Sequence, residues 1–173
     1  MRGAACSLLA ALALGLAGCA AHRPQEPPRP PLDTSTSGAI PSTGTPAETG
    51  GSTVFVAVAL SMVGEPYRWG GAEPGGFDCS GLVVYAGRRA GLELPRTAHE
   101  QAHSGVAVPR AGLQAGDLVF LHLARKELHV GIAVDAEHFV HAPSSGGAVR
   151  VDSLEVRPYV NALLQARRLS FPH

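Results

Sequence analysis

The chain has 173 residues, with 14 basic and 14 acidic side chains, 21 glycines, 14 prolines and three cysteines. That length fits one ordinary domain with appendages, and the zero net charge excludes an electrostatic nucleic-acid binder, which needs a surplus of Lys and Arg on one face. Three cysteines cannot all pair, so a simple disulfide scaffold is excluded too and each cysteine needs its own account.

Arg2 precedes a small and apolar run from Ala4 to Leu16, 13 residues long. A bilayer span needs about 20 residues, so the run fits the apolar region of a signal peptide instead. It closes on Leu16-Ala17-Gly18-Cys19, a tetrapeptide that resembles the bacterial lipobox. The resemblance implies a signal peptide over residues 1–18, cleavage before Cys19, and lipid attachment on the Cys19 sulfur. The plainer alternative is an ordinary secretory signal in which Cys19 is incidental. Buried acyl chains, at about 0.8 kcal/mol per methylene, make a stable membrane anchor. Cys6 falls inside the removed segment and needs no function. Ala20 follows the lipid cysteine where Asp would change the sorting. The similarity to outer-membrane lipoproteins therefore implies a cell-envelope location, on the outer membrane facing the periplasm.

Residues 19–52 then read as the lipidated N-terminus and a tether. Pro24, Pro27, Pro28, Pro30, Pro31, Pro41 and Pro46 lie here, half of the chain's prolines, followed by a Ser/Thr/Gly run. With Leu32 and Ile40 as its large apolar residues, the segment buries too little surface to offset ordering entropy, and disorder is expected. Its reach is about 30 Å as a coil and at most about 100 Å if extended.

The folded domain is expected over residues 53–173, long enough for one core. Thr53–Met62 suits a short helix that ends before Gly64 and Pro66. Asp78–Ala90 suits a second, capped by Asp78, with Leu82, Val83, Tyr85 and Ala86 as its apolar stripe and Gly91 at its end. A shorter helix is expected over Thr97–His103. Beyond Gly112 the period changes to two, and Leu118–Leu123, His129–Asp135, His138–Ala142, Ala148–Val151 and Leu163–Leu169 are strand candidates. Helices first and strands afterwards, with connections too short for crossover helices, predict an α+β domain on an antiparallel sheet.

Cys79 opens the second helix behind Asp78, where the helix N-terminus is expected to favour thiolate over thiol. Ser80, Gly81, Gly75 and Gly76 around it leave room for a substrate backbone. A buried structural cysteine is the bland alternative. Of the eight histidines, His22 and His173 lie in the tether and at the terminus. His99 and His103, four apart, could form a metal pair but more often mark a solvated face. In His129-Val130-Gly131-Ile132-Ala133-Val134, His129 shares a face with Gly131 and Ala133, which suggests a closely packed helix on that face. His141 on the next strand would lie near His129 and could orient it. His138 and His122 compete for the same roles, and spacing alone leaves them open.

Gly64-Glu65-Pro66-Tyr67-Arg68-Trp69-Gly70-Gly71, Phe77-Asp78-Cys79-Ser80-Gly81-Leu82-Val83, Leu94-Pro95-Arg96-Thr97, Gly116-Asp117-Leu118-Val119-Phe120, His129-Val130-Gly131-Ile132 and Phe139-Val140-His141-Ala142-Pro143 occur in this order. Together they resemble the NlpC-type papain-like cysteine peptidases of bacterial cell walls. The resemblance implies a papain-like fold, Cys79 as nucleophile, His129 as general base and His141 as the polar residue that orients it. It also implies Tyr67 lining the site and aiding the oxyanion, Asp78 and Ser80 framing the nucleophile, and Arg96 in a structural or substrate-positioning role. Asp117 would hold a turn, although an aspartate before a strand can also be read as catalytic. Leu128, before the base, departs from the small polar residue common in relatives, and the His122–Leu128 connection is short. Both bear on substrate choice at the cleft rim.

The implied activity is a peptidoglycan endopeptidase that hydrolyses peptide bonds in stem peptides or cross-links by a Cys-His-His thiol mechanism. No metal or cofactor is implied, the partners are peptidoglycan peptides and the membrane through the N-terminal lipid, and a monomer is expected. A zinc hydrolase lacks the compact ligand spacing it would need. A catalytically silent peptidoglycan-binding lipoprotein on the same fold is the alternative. Its expected mark is loss of Cys79, His129 or His141, and all three are present.

Overall fold

The computed structural model of the chain describes residues 49–123, 127–145 and 147–172. The expected signal peptide, Cys19 and the tether up to residue 48 lie outside the described residues. The first helix, α1, spans Thr49–Ser61, so residues 49–52 belong to it rather than to a tether ending at Ser52. Contacts with the domain hold that first turn. The Ser52 hydroxyl donates to the Ala115 carbonyl at 2.8 Å, and Gly51 leaves space for the Phe171 side chain, whose ring packs on Phe55.

A small hairpin of β1 (Ala72–Glu73) and β2 (Gly76–Phe77) leads into α2, Cys79–Arg89. Asp78 caps α2 by accepting from the Gly81 N–H at 2.6 Å, Arg88 and Arg89 sit in its last turn, and Gly91 turns the chain away at φ +79°. Next comes α3, Ala98–Gln101, where Thr97 and Glu100 cap each other's backbone N–H groups. It stops short of His103 because the N–H groups of His103 and Ser104 turn back three residues, to Glu100 and Gln101.

Six strands then form one antiparallel sheet: β3 (Val106–Val108), β4 (Leu118–His122), β5 (Leu128–Ala133), β6 (His138–His141), β7 (Arg150–Ser153) and β8 (Leu163–Arg168). Their spatial order is β3-β8-β4-β5-β6-β7. The expected α+β class holds. Strands β1 to β3, of two or three residues each, are too short to show a period in sequence. β7 starts at Arg150 rather than Ala148 because residues 148–149 bond elsewhere. Ala148 bridges Pro66, and Val149 exchanges backbone bonds with Gly64 and Glu65.

The sheet has two packed faces. On one, Phe55 and Ala59 of α1 and Leu82, Val83 and Ala86 of α2 close over Leu118, Phe120, Val130, Ile132 and Val140. Burying each large side chain contributes about 1.5–3 kcal/mol. On the other, Val119, Leu121, Ala133 and Phe139 meet Leu154, Tyr159 and Ala162. The helices therefore cover the Val130–Ile132 face, not the His129–Gly131–Ala133 face as the pattern of small residues suggested. Those small residues make room for neighbours within the second face, since a Cβ on Gly131 would collide with the Phe139 ring.

Asp117 is buried at the start of β4. Its two carboxylate oxygens accept from Arg168 Nε and Nη2, each at 2.8 Å, and one also accepts from the Gln114 N–H at 2.9 Å. It clamps β8 to the turn before β4, so the turn-holding reading stands and the catalytic one is set aside. Removing one member of a buried ion pair costs about 3 kcal/mol. Asp117→Ala is expected to lose that much in a urea titration of the domain, and a loss under about 1 kcal/mol would contradict the clamp.

Candidate active site

The loop from Tyr67 to Asp78 is shaped around the start of α2. The Asp78 N–H donates to the Gly71 carbonyl at 3.0 Å, and a Cβ on Gly81 would run into that same carbonyl. Gly76 likewise has no room for a Cβ beside Arg68. Gly76 and Gly81 are buried and serve internal packing, so they do not open a path for substrate as the sequence suggested, whereas Gly75 is exposed with open space where a Cβ would stand.

Asp78 gathers several segments. Its carboxylate accepts from the N–H groups of Gly70 and Gly81 and from Arg96 at 3.0 Å (Nη1) and 2.6 Å (Nη2). Arg96 Nη1 also donates to the Ser80 hydroxyl at 3.0 Å. Ser80 is buried within this array. Asp78, Ser80 and Arg96 therefore meet in one lattice directly beneath Cys79.

Cys79 is half-buried and is the free cysteine among the described residues. The backbone N–H groups of Val130, Ser80 and Cys79 itself act on its sulfur in favour of the thiolate. Burial outweighs them, aided by the Asp78 charge, and pushes the thiol above its ordinary value. The resting thiol is thus neutral, contrary to the expectation from the helix N-terminus alone. Tyr67 stands within electrostatic reach of Cys79. Burial first, then the Cys79 and Asp78 charges, raises its phenol, which stays an O–H donor.

Val130 follows His129 on β5, and because its N–H acts on the Cys79 sulfur, that sulfur lies close to the strand beside this histidine. The His129 and His141 side chains share the second face of the sheet. His129 Nε2 and His141 Nδ1 are 2.7 Å apart, with the rings at 85° to one another. Both are buried. Burial, followed by the charge of His141, pulls His129 from 6.5 down to about 3, and burial also lowers His141. The competitors fall away. His122 is exposed at the end of β4. His138 is bonded to the Asp135 carboxylate at 3.0 Å. His103 lies beyond α3, its Nδ1 bonded to the His99 carbonyl, and among the described residues neither histidine belongs to a cluster of three or more metal-ligating side chains.

Sequence reasoning missed Asp152. His141 Nε2 lies 2.9 Å from Asp152 Oδ2, which also accepts from Arg150 Nε and the Tyr159 hydroxyl, each at 2.8 Å. The signal was present. Arg150-Val151-Asp152 places two charges on one face of a strand, but a strand ending at Val151 leaves the second charge outside the sheet. Register pairs His141 with Arg150 and Phe139 with Asp152.

Helices against one face of an antiparallel sheet, with a cysteine opening the central helix, define a papain-like α+β domain. The family model of NlpC/P60 matches residues 64–168, and the chain belongs to the NlpC/P60 family. It is 44% identical over 102 residues to the probable endopeptidase Rv2190c of Mycobacterium tuberculosis, covering 59% of this chain and 26% of that protein. It is 39% identical over 119 residues to the murein DD-endopeptidase MepH of Escherichia coli K12, covering 65% of this chain and 44% of that protein. The chain thus spans less than half the length of either relative. Among solved structures, the peptidoglycan hydrolase RipB of Mycobacterium tuberculosis superposes with a TM-score of 0.60 at 29% identity, covering 70% of this chain and 66% of that one.

The buried histidines couple stability to acid. Unfolded, a histidine takes a proton below about 6.5. Folded His129 refuses it until about 3. Its contribution is therefore complete above pH 6.5 and falls by about 1.4 kcal/mol per pH unit as the pH drops through that window. Denaturant titrations from pH 7 to pH 4 are expected to show a steeper loss for the wild type than for His129→Gln. Parallel slopes would contradict the neutral buried imidazole.

Proposed function

We propose that the chain is a peptidoglycan endopeptidase that cleaves peptide bonds of the wall by a thiol mechanism, with Cys79 as nucleophile, His129 as base and His141 orienting it. The observation that carries this reading is the buried His129–His141 bond beside the strand position whose N–H meets the Cys79 sulfur. The endopeptidase names of the relatives support the reaction class, and the murein and peptidoglycan in two of those names support the substrate.

Because the resting thiol and imidazole are both neutral, the proton moves as the attack begins rather than in a preformed ion pair. His129 takes the Cys79 proton while the sulfur bonds to the peptide carbonyl carbon and the carbonyl π pair moves onto oxygen. The Tyr67 hydroxyl and backbone N–H groups at the start of α2 are the donors available to that oxygen. Collapse breaks the C–N bond, and the imidazolium gives its proton to the leaving amine. Water, losing a proton to His129, then attacks the acyl carbon, and the C–S bond breaks as the imidazolium returns that proton to the sulfur, releasing the carboxyl product and regenerating the thiol. Asp78 and Arg96 hold the helix start in place, and Ser80 frames the nucleophile from within that lattice.

The envelope location belongs to the same proposal. Lipid on Cys19 would hold the domain at the membrane, and the proline-rich tether, at about 30 Å of mean reach, would let it search the nearby wall.

Purified domain incubated with peptidoglycan is expected to release peptide fragments that mass spectrometry weighs, and Cys79→Ala is expected to abolish their release while leaving the fold intact. Iodoacetamide should inhibit and a chelator should not. Full activity in Cys79→Ala, or loss on chelation alone, would overturn the thiol mechanism, and wall binding by the wild type without cleavage would favour a silent binding protein. Separately, Cys19→Ser is expected to move the full chain from the membrane fraction to the soluble one. Unchanged retention would refute the anchor.

A further inference from the structure

The four groups His129, His141, Asp152 and Tyr159 form an unbroken hydrogen-bonded row across β5, β6, β7 and the segment after it. A neutral imidazole has one N–H and one lone pair, and which nitrogen carries the proton is set by its partners. The row has one end where the choice is forced. Asp152 Oδ2 receives the Arg150 Nε–H and the Tyr159 O–H. An ionised carboxylate only accepts, and it stays ionised here. Burial works against the charge, but the bonds from Arg150, His141 and Tyr159 outweigh it and hold the carboxyl below its ordinary range.

We propose that Asp152 is a positioning residue that fixes the tautomers of both histidines and so leaves the His129 Nδ1 lone pair for the Cys79 thiol. His141 must donate from Nε2 to Asp152, so its Nδ1 carries the lone pair. The 2.7 Å bond to that Nδ1 then requires His129 to donate from Nε2. His129 Nδ1 is the nitrogen left without a proton, the form a general base needs. Without Asp152, His141 could equally hold its proton on Nδ1, His129 Nε2 would become the acceptor, and the proton on His129 Nδ1 would block it as a base. The row is buried at its two imidazoles, so water does not scramble the choice.

This inference rests on the thiol reading above, but part of its test is independent of activity. Long-range proton–nitrogen NMR on the ring-labelled domain at neutral pH is expected to find both histidines protonated on Nε2. Asp152→Ala should lose that single pattern and lower kcat on a soluble peptidoglycan fragment by about 100-fold, with KM little changed. Asp152→Asn is expected to keep the wild-type tautomers and stay within about 10-fold of wild-type kcat, because Arg150 and Tyr159 would turn its amide oxygen toward His141. Wild-type protein protonated on His129 Nδ1, or Asp152→Ala with wild-type tautomers and kcat, would overturn the proposal. If Cys79→Ala remained fully active, the thiol reading would fail while the ring-nitrogen result stood by itself.

Discussion

The Asp78 carboxylate is the fastening on which the site's geometry depends. One side chain caps α2, holds the Gly70 turn of the preceding loop and pairs with Arg96 from the segment beyond the helix. Each is a charge-assisted bond, stronger and shorter than its neutral counterpart. Because Cys79 is the next residue, the direction of its side chain is set by the same contacts that start the helix. The lattice closes only with glycine at Gly81, where α2 presses on the Gly71 carbonyl. The polar residues here are there for position, and their chemistry is that of a cap and an ion pair.

β5 joins the two faces of the sheet at this point. Val130 and Ile132 face the helices, while His129 and Ala133 face the second core. A strand turns successive side chains to opposite sides, so a cysteine on the helix side meets the strand backbone, through the Val130 N–H, one residue from the histidine. The His141 ring is therefore embedded in the second core, against Phe139 and Tyr159, and the buried His129 ring stands edge-on to it. This burial keeps both rings neutral and makes every ring nitrogen depend on a protein partner.

Much of this was legible in the sequence. Asp78 as a cap, a short helix starting near Thr97, and the alternation of Leu118–Leu123 and His129–Asp135 are local signals, and each corresponds to an element in the fold. The face of β5 that receives the helices was not legible. Gly131 and Ala133 looked like room for a helix, whereas Gly131 accommodates the Phe139 ring and Ala133 sits among the second core. The thiol was misjudged for a related reason. A helix N-terminus is visible in sequence, but the desolvation that overrides it depends on packing from β5. Asp152 escaped notice because the segment Gly64–Tyr67 takes residues 148–149 out of the sheet. That is a long-range competition for backbone bonds, and it shifts where β7 begins.

A buried pair of histidines is costly unless each polar atom is satisfied. Here the row ends on a carboxylate that is only partly buried, with Arg150 beside it at the surface. Placing the charge at the rim limits the desolvation penalty that a fully buried carboxylate would carry, while the direction of its hydrogen bonds is transmitted inward through neutral rings. The two aromatic contacts of His141, with Phe139 at 4.6 Å and Tyr159 at 5.5 Å between ring centroids, restrict rotation of that ring. Tyr159 does both jobs, packing on His141 through its ring and donating to Asp152 through its hydroxyl. The second core is thus what allows a negative charge at the edge of the sheet to determine which atom of His129 is free at its centre.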